Sequence, residues 1–235
     1  EEPEPAQFAL GLVQELVYQD YEKAFAYYEA AQHGSVGAMF QLASCYARGI
    51  STPEDPAAAL KLLLICAGKD YPPALYTLAE CYAKGQGLPQ DAKKAISMYI
   101  KAAEKGDENA QLVMASNYMF GKGVAEDVGK SLELYEAVAA KGNMMGEFSL
   151  GYALLNAEKD IPRALDLLRA AAKKGLDHAQ NTLGDCYFNG TGVERDYKKA
   201  IEYYKLASDQ GNTEAQYMLG ICATRGRGMD KDTEK

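Results

Sequence analysis

Apolar side chains recur along this chain at i, i+3, i+4 and i+7, the 3.6-residue period of an amphipathic helix, and no stretch sustains the period-two alternation of a strand. The helical segments come in pairs. Ala38, Ala74 and Ala110 open matching segments 36 residues apart, Gly146 continues the series, and Ala179 and Ala215 extend it. Four residues after each anchor stands a larger apolar residue (Leu42, Leu78, Met114, Leu150, Leu183, Leu219), followed by a small one (Ala43, Ala79, Ala115, Gly151, Gly184, Gly220). Tyr46, Tyr82, Tyr118 and Tyr187 come next, then a glycine-rich loop, then an Asp-x-x-x-Ala segment with its own helical period. Self-similarity at a fixed period of this length is the signature of a solenoid, in which each unit buries its apolar stripe against its neighbours.

The unit boundaries carry their own chemistry. Asp91, Asp127, Asp160 and Asp196 precede the second helices, where a carboxylate can accept unpaired amide protons and oppose the helix dipole. Gly106, Gly142, Gly175 and Gly211 stand just past the ends of those helices, at the left-handed cap position. The pattern predicts an all-α chain, a single solenoid over residues 1–235. Its units lie near 6–37, 38–73, 74–109, 110–145, 146–178 and 179–214, with a partial unit at 215–235. Two units are short: the one opening at Gly146 has Asn156 to Asp160 in place of the glycine loop, and the first, around Leu10, Gly11 and Asp20, is similarly trimmed. Asp232-Thr233-Glu234-Lys235 reads as the capping start of a further helix, so the natural chain is expected to continue beyond Lys235.

The repeat carries a resemblance. The stretch AQNTLGDCYFNGTGVERDYKKAIEYYKLASDQG, Ala179 to Gly211, resembles the Sel-1-like repeat, a relative of the tetratricopeptide repeat, almost throughout, and the likeness recurs over essentially the whole chain. It implies a right-handed α-solenoid superhelix of about six helix-loop-helix repeats. It further implies an adaptor or scaffold that holds a partner in its concave surface, lined by the first helix of each unit, with no shared catalytic residues.

The repeat register also disposes of a nucleotide-binding reading. GKGVAEDVGKS, residues 121 to 131, ends like a phosphate-binding loop, but the first glycine of G-x-x-x-x-G-K-[ST] would have to stand at position 124, which is Val124. Gly121 and Gly123 belong to the inter-helix loop, and Gly129-Lys130-Ser131 fills the slot held by Lys93-Lys94-Ala95 and Lys198-Lys199-Ala200.

Composition narrows the function classes further. With 235 residues, 48% of them apolar, the chain can bury a core, and its formal charge of −8 argues against nucleic acid or an anionic membrane as partner. The longest apolar run, Leu62 to Ala67, is far short of the roughly 18 residues that span a bilayer. Cys45, Cys81, Cys186 and Cys222 share one repeat position that faces the core, where cysteine acts as a small hydrophobe; only Cys66 is placed to meet Cys45 or Cys81 in a disulfide. His33 and His178 read as surface residues at helix boundaries, and the chain has no H-E-x-x-H, G-x-S-x-G or dinucleotide fingerprint. Neither a metal nor a cofactor is implied.

At 100° per residue the positions 2, 3, 6, 9 and 10 after each anchor, and the one before it, turn away from the core. The large residue two after the anchor (Phe40, Tyr76, Leu112, Phe148, Tyr217) reads as a wedge between neighbouring helices. Gln41, Ser44, Arg48, Thr77, Glu80 and Lys84 read as an ordinary solvated face. Val113, Met119, Phe120, Met145, Tyr152, Leu155 and Phe188, together with Phe148, instead form an apolar set that predicts a partner-binding groove; the alternative is that some of them fill space left by the shortened unit. The expected function is a monomeric, non-enzymatic module that binds a protein or peptide. An inhibitor or immunity protein for a secreted toxin is the second reading, and a cell-wall or small-molecule hydrolase a third.

Overall fold

A computed structural model describes residues 4–228, and among them every regular element is helical. The expected helix start at Asp232 lies outside the described residues. The chain divides into two compact units, one ending at Asp127 and the other beginning at Val128.

The first unit holds α1 (Glu4–Val13), a π-helical turn (Gln14–Tyr18), α2 (Tyr21–Ala31), α3 (Val36–Arg48), α4 (Pro56–Gly68), α5 (Pro72–Lys84), α6 (Ala92–Glu104) and α7 (Glu108–Phe120). The second holds α8 (Val128–Ala139), α9 (Met144–Asn156), α10 (Ile161–Lys173), α11 (Asp177–Asn189), α12 (Tyr197–Ser208) and α13 (Thr213–Arg225). Within each unit every helix packs against its neighbours in sequence. Among the described residues no helix is long and apolar enough to cross a membrane.

The expected boundary chemistry is what starts and stops these helices. Asp91 accepts from the Lys94 amide, and Asp196 from the Lys198 and Lys199 amides. Gly106, Gly142, Gly175 and Gly211 take φ of 87°, 75°, 97° and 91°, which a side chain would strain. The shortened turn after α9 has no glycine to do this, and Glu158 (φ 51°) and Asp160 (φ 45°) adopt the left-handed conformation instead, with Asp160 still capping α10 through the Arg163 amide. The GKGVAEDVGKS segment behaves as the repeat register requires: Gly121 caps α7, and Ser131 is fully buried on α8 in an alanine slot.

The small residue five after the anchor lets the paired helices close. A Cβ on Gly184 would sit 2.5 Å from Tyr204 Cε1, and one on Gly11 would sit 2.5 Å from Tyr28 Cε1. Both tyrosine rings are fully buried. The shared cysteine position is buried at Cys45, Cys186 and Cys222 and half-buried at Cys81. All five thiols are free, and Cys66, the candidate for a disulfide, lies with its Sγ 3.5 Å from the Val36 carbonyl, to which it donates.

Candidate partner-binding site

In the second unit α9 is oriented by its glycines. Asn143 caps it, accepting from the Met145 and Gly146 amides. A Cβ on Gly146 would lie 2.7 Å from the Ala139 amide nitrogen, and one on Gly151 would lie 2.9 Å from the Ala164 carbonyl oxygen. With that face pressed against α8 and α10, the opposite one carries Met145 (38% exposed) and Tyr152 (47% exposed). Phe148 lies between them in sequence, its ring 5.7 Å from that of Tyr152 and stacked at 6.0 Å on His178. Phe148 and Leu155 are half-buried against the core cluster of Leu165, Leu168, Leu183 and Cys186, as the space-filling alternative requires. Phe148 thus packs between neighbouring helices and also lies against the exposed Tyr152.

The first unit contributes separately. Phe120, the last residue of α7, is 65% exposed with the Lys122 ammonium 5.3 Å from its ring centroid; Val113 and Met119 on the same helix are half-buried.

Phe188 corrects the groove prediction. It is only 9% exposed, packed edge-on against Tyr197 at 5.3 Å and capped by the Arg227 guanidinium at 5.1 Å. It belongs to the buried core cluster of Ala200, Ile201, Tyr204 and Cys222, and the start of α12 and the loop after α13 pack on its ring. Tyr217, expected as a wedge, stands 70% exposed.

Several features escaped the sequence reading. Met144 is exposed beside Met145, and His178, though exposed, is held by its stack on Phe148. Glu80, expected on a plain solvated face, accepts from the Tyr99 hydroxyl and pairs with Lys84. The same device recurs: Tyr28 donates to Glu15 at 2.5 Å and Tyr204 to Asp185 at 2.7 Å. The detectable signal is an acid on the first helix, or on the π-helical turn that extends it, where the second reads Ala-x-x-x-Tyr, as at Ala24/Tyr28, Ala95/Tyr99 and Ala200/Tyr204. Although burial pushes the Glu80 carboxyl up, its hydrogen bonds from Lys84 and Tyr99 hold it below the usual range. Asp185 goes the other way: burial raises it, the Tyr204 hydroxyl opposes the rise, and the Glu214 charge adds to it. Among the described residues no three metal-ligating side chains converge.

The sequence model of one family, described as Sel1 repeat, matches residues 5–31, 36–65, 72–107, 109–143, 145–176, 177–212 and 213–235. The chain belongs to the Sel1 repeat family. Two solved structures share its fold closely. A protective antigen of uropathogenic Escherichia coli strains, c5321, which displays an SLR fold, is 26% identical with a TM-score of 0.84 over 98% of this chain. This chain spans only 51% of that protein. A Sel1 repeat protein from Oxalobacter formigenes is 25% identical with a TM-score of 0.85, covering 97% of this chain and 92% of its own. The immunity protein PA5088 from Pseudomonas aeruginosa, at 18% identity and a TM-score of 0.61 over 91% of this chain and 84% of its own, shows likeness of fold alone. No curated protein matches the sequence. Sel1 repeat proteins are in general scaffolds for protein interaction, without catalysis of their own.

Proposed function

We propose that this Sel1 repeat protein is a non-enzymatic binding module that holds a protein or peptide segment against the outward face of its first helices. The observation that carries the reading is α9, where Met144, Met145 and Tyr152 are exposed along one helix and the Tyr152 ring lies against the half-buried Phe148, itself stacked on His178. Keeping several large apolar side chains in water is unfavourable and marks an interaction surface. Methionine adapts its shape to a partner, and tyrosine offers a rigid ring with a polar tip. An occupant with two or three apolar anchors on a helix or extended segment suits such a face. Phe120 is a second contact, on the first unit. Phe148 backs Tyr152, and the half-buried Val113, Met119 and Leu155 complete the proposed apolar set, each within its own unit. The likeness to immunity proteins extends to the fold alone and favours no toxin as the partner.

The test begins with capture of the partner from the native source and proceeds to titration of the purified pair. Tyr152→Asp and Phe120→Asp replace exposed side chains, so each should change stability by only about 0.5 kcal/mol. Loss of an interface anchor costs about 2 kcal/mol or more, roughly thirtyfold in affinity. Leu183→Asp, at a fully buried position, serves as the unfolding control. Full affinity retained by both surface variants would place the interface elsewhere.

A further inference from the structure

The first unit carries both an apolar projection and an apolar cleft. The projection is the turn between α1 and α2. Its π-helical residues end on Gln19, which takes a left-handed φ of 54° and donates its amide to the Gln14 carbonyl, while the Tyr28 hydroxyl holds Glu15. The consecutive Leu16, Val17 and Tyr18 stand 74%, 68% and 68% exposed. Three large apolar side chains in a row at that exposure, on a turn fixed by hydrogen bonds and carrying a residue other than glycine in the left-handed region, mark an interaction surface.

The cleft measures 630 Å³, is bounded by α3, α4 and α5, and has Phe40, Ala47, Leu60 and Leu63 among its apolar lining. Ser44, Arg48 and Thr77, expected on a plain solvated face, border it. The repeat register explains why it is open. Ala47, like Ala83, stands nine residues after its anchor, where later units have Met119, Leu155 and Phe188. Leu155 packs against a core cluster and Phe188 belongs to one. Alanine at that position leaves the room of a large side chain unfilled.

We propose that the first unit pairs with a second copy of this chain in place of the expected monomer, the Leu16-Val17-Tyr18 turn of each copy seated in the cleft of the other. The cleft lacks a large apolar side chain and the turn of the same chain presents three, so one contact covers both. Charge points the same way: Gln14 to Glu22 includes Glu15, Asp20 and Glu22 and no base, while Arg48 at the cleft has no carboxylate partner among the described residues, Glu54 of the same lining included. The area suffices as well. Side chains of this size and exposure present roughly 350 Å². Matched by a like area of cleft and repeated by a two-fold axis, the contact buries about 1,400 Å², within the range of stable interfaces.

Sedimentation equilibrium of the purified chain, from about 1 to 300 µM, should show a monomer passing to a dimer and no further. Val17→Asp removes an apolar anchor and should weaken association at least about thirtyfold. Ala47→Met fills the cleft with the residue that Met119 places at the same repeat position, and should weaken association by a similar factor. Both positions are exposed, so each variant should keep the wild-type circular dichroism in dilute solution. Mixed in equal amounts, the two variants should associate more tightly than either alone, because the Ala47→Met chain still offers its turn and the Val17→Asp chain its cleft. A wild-type chain that stays monomeric throughout, masses that grow past the dimer, an Ala47→Met chain that pairs as wild type does, or a mixture no tighter than its components would each overturn the assignment. Tyr152→Asp should leave self-association unchanged, so this pairing and the apolar docking face of α9 fail independently.

Discussion

Tyr204→Phe isolates one atom. The ring is fully buried at the junction of α11 and α12, and the substitution removes only the hydroxyl that donates to Asp185 Oδ1 at 2.7 Å. No apolar contact is lost, so the expected cost is that of one hydrogen bond to a charged group, about 1.5–3 kcal/mol. Asp185 is half-buried and water can replace part of the bond, which places the value at the lower end, about 1.5 kcal/mol. The cost should also depend on pH. Burial raises the Asp185 carboxyl in the folded chain above its unfolded value, so the folded state binds its proton more tightly. Stability from this group is therefore fully present below the unfolded value and is lost as pH rises through the folded one. The Tyr204 hydroxyl opposes the rise by favouring the carboxylate; without it the folded carboxyl climbs further and the loss deepens. Urea denaturation followed by circular dichroism, on wild type, Tyr204→Phe, Asp185→Asn and the double variant, should give a coupling energy of about 1.5 kcal/mol near neutral pH and a smaller one at about pH 4. A Tyr204→Phe variant within about 0.5 kcal/mol of wild type at neutral pH, or a coupling unchanged by acid, would refute the reasoning.

Two further outcomes follow from packing. Gly184→Ala would set a Cβ 2.5 Å from the immobile Tyr204 ring and should lower stability by about 1–3 kcal/mol; Gly220→Ala, at the same repeat position with nothing within 4 Å of its Cβ, should be neutral or slightly stabilising in the same thermal melts. Burial pushes all five thiols up, Cys186 to about 11, while Cys81 alone is not fully enclosed. A timed iodoacetamide reaction read by mass spectrometry should therefore label Cys81 first and Cys186 last, and equal rates at the two would contradict the packing at that position.

What was legible in the sequence is what a residue settles with neighbours three or four positions away. Asp91 and Asp196 cap their helices because the amides they accept from are two or three residues ahead, and Gly106, Gly142, Gly175 and Gly211 turn the chain because the left-handed conformation is a property of the single residue. The core face of each helix follows from the same local period, which is why Leu42, Leu78, Leu150 and Leu183 are buried as expected. Only the tertiary structure decided which outward side chains stay in water. Helical phase sets the direction in which a side chain leaves its own helix, and exposure depends on what another segment lays across that direction. Phe188 is drawn into the core cluster of α12 and α13 and covered by Tyr197 and Arg227, while Met145 and Tyr152 on α9 keep 38% and 47% of their surface in water. Glu80 reads as a solvated acid until Tyr99 of the following helix reaches it, and Asn181 shows its unmet carbonyl only once Glu214, 33 residues on, has taken its amide. These pairings join residues in different helices, and no period along one helix contains them.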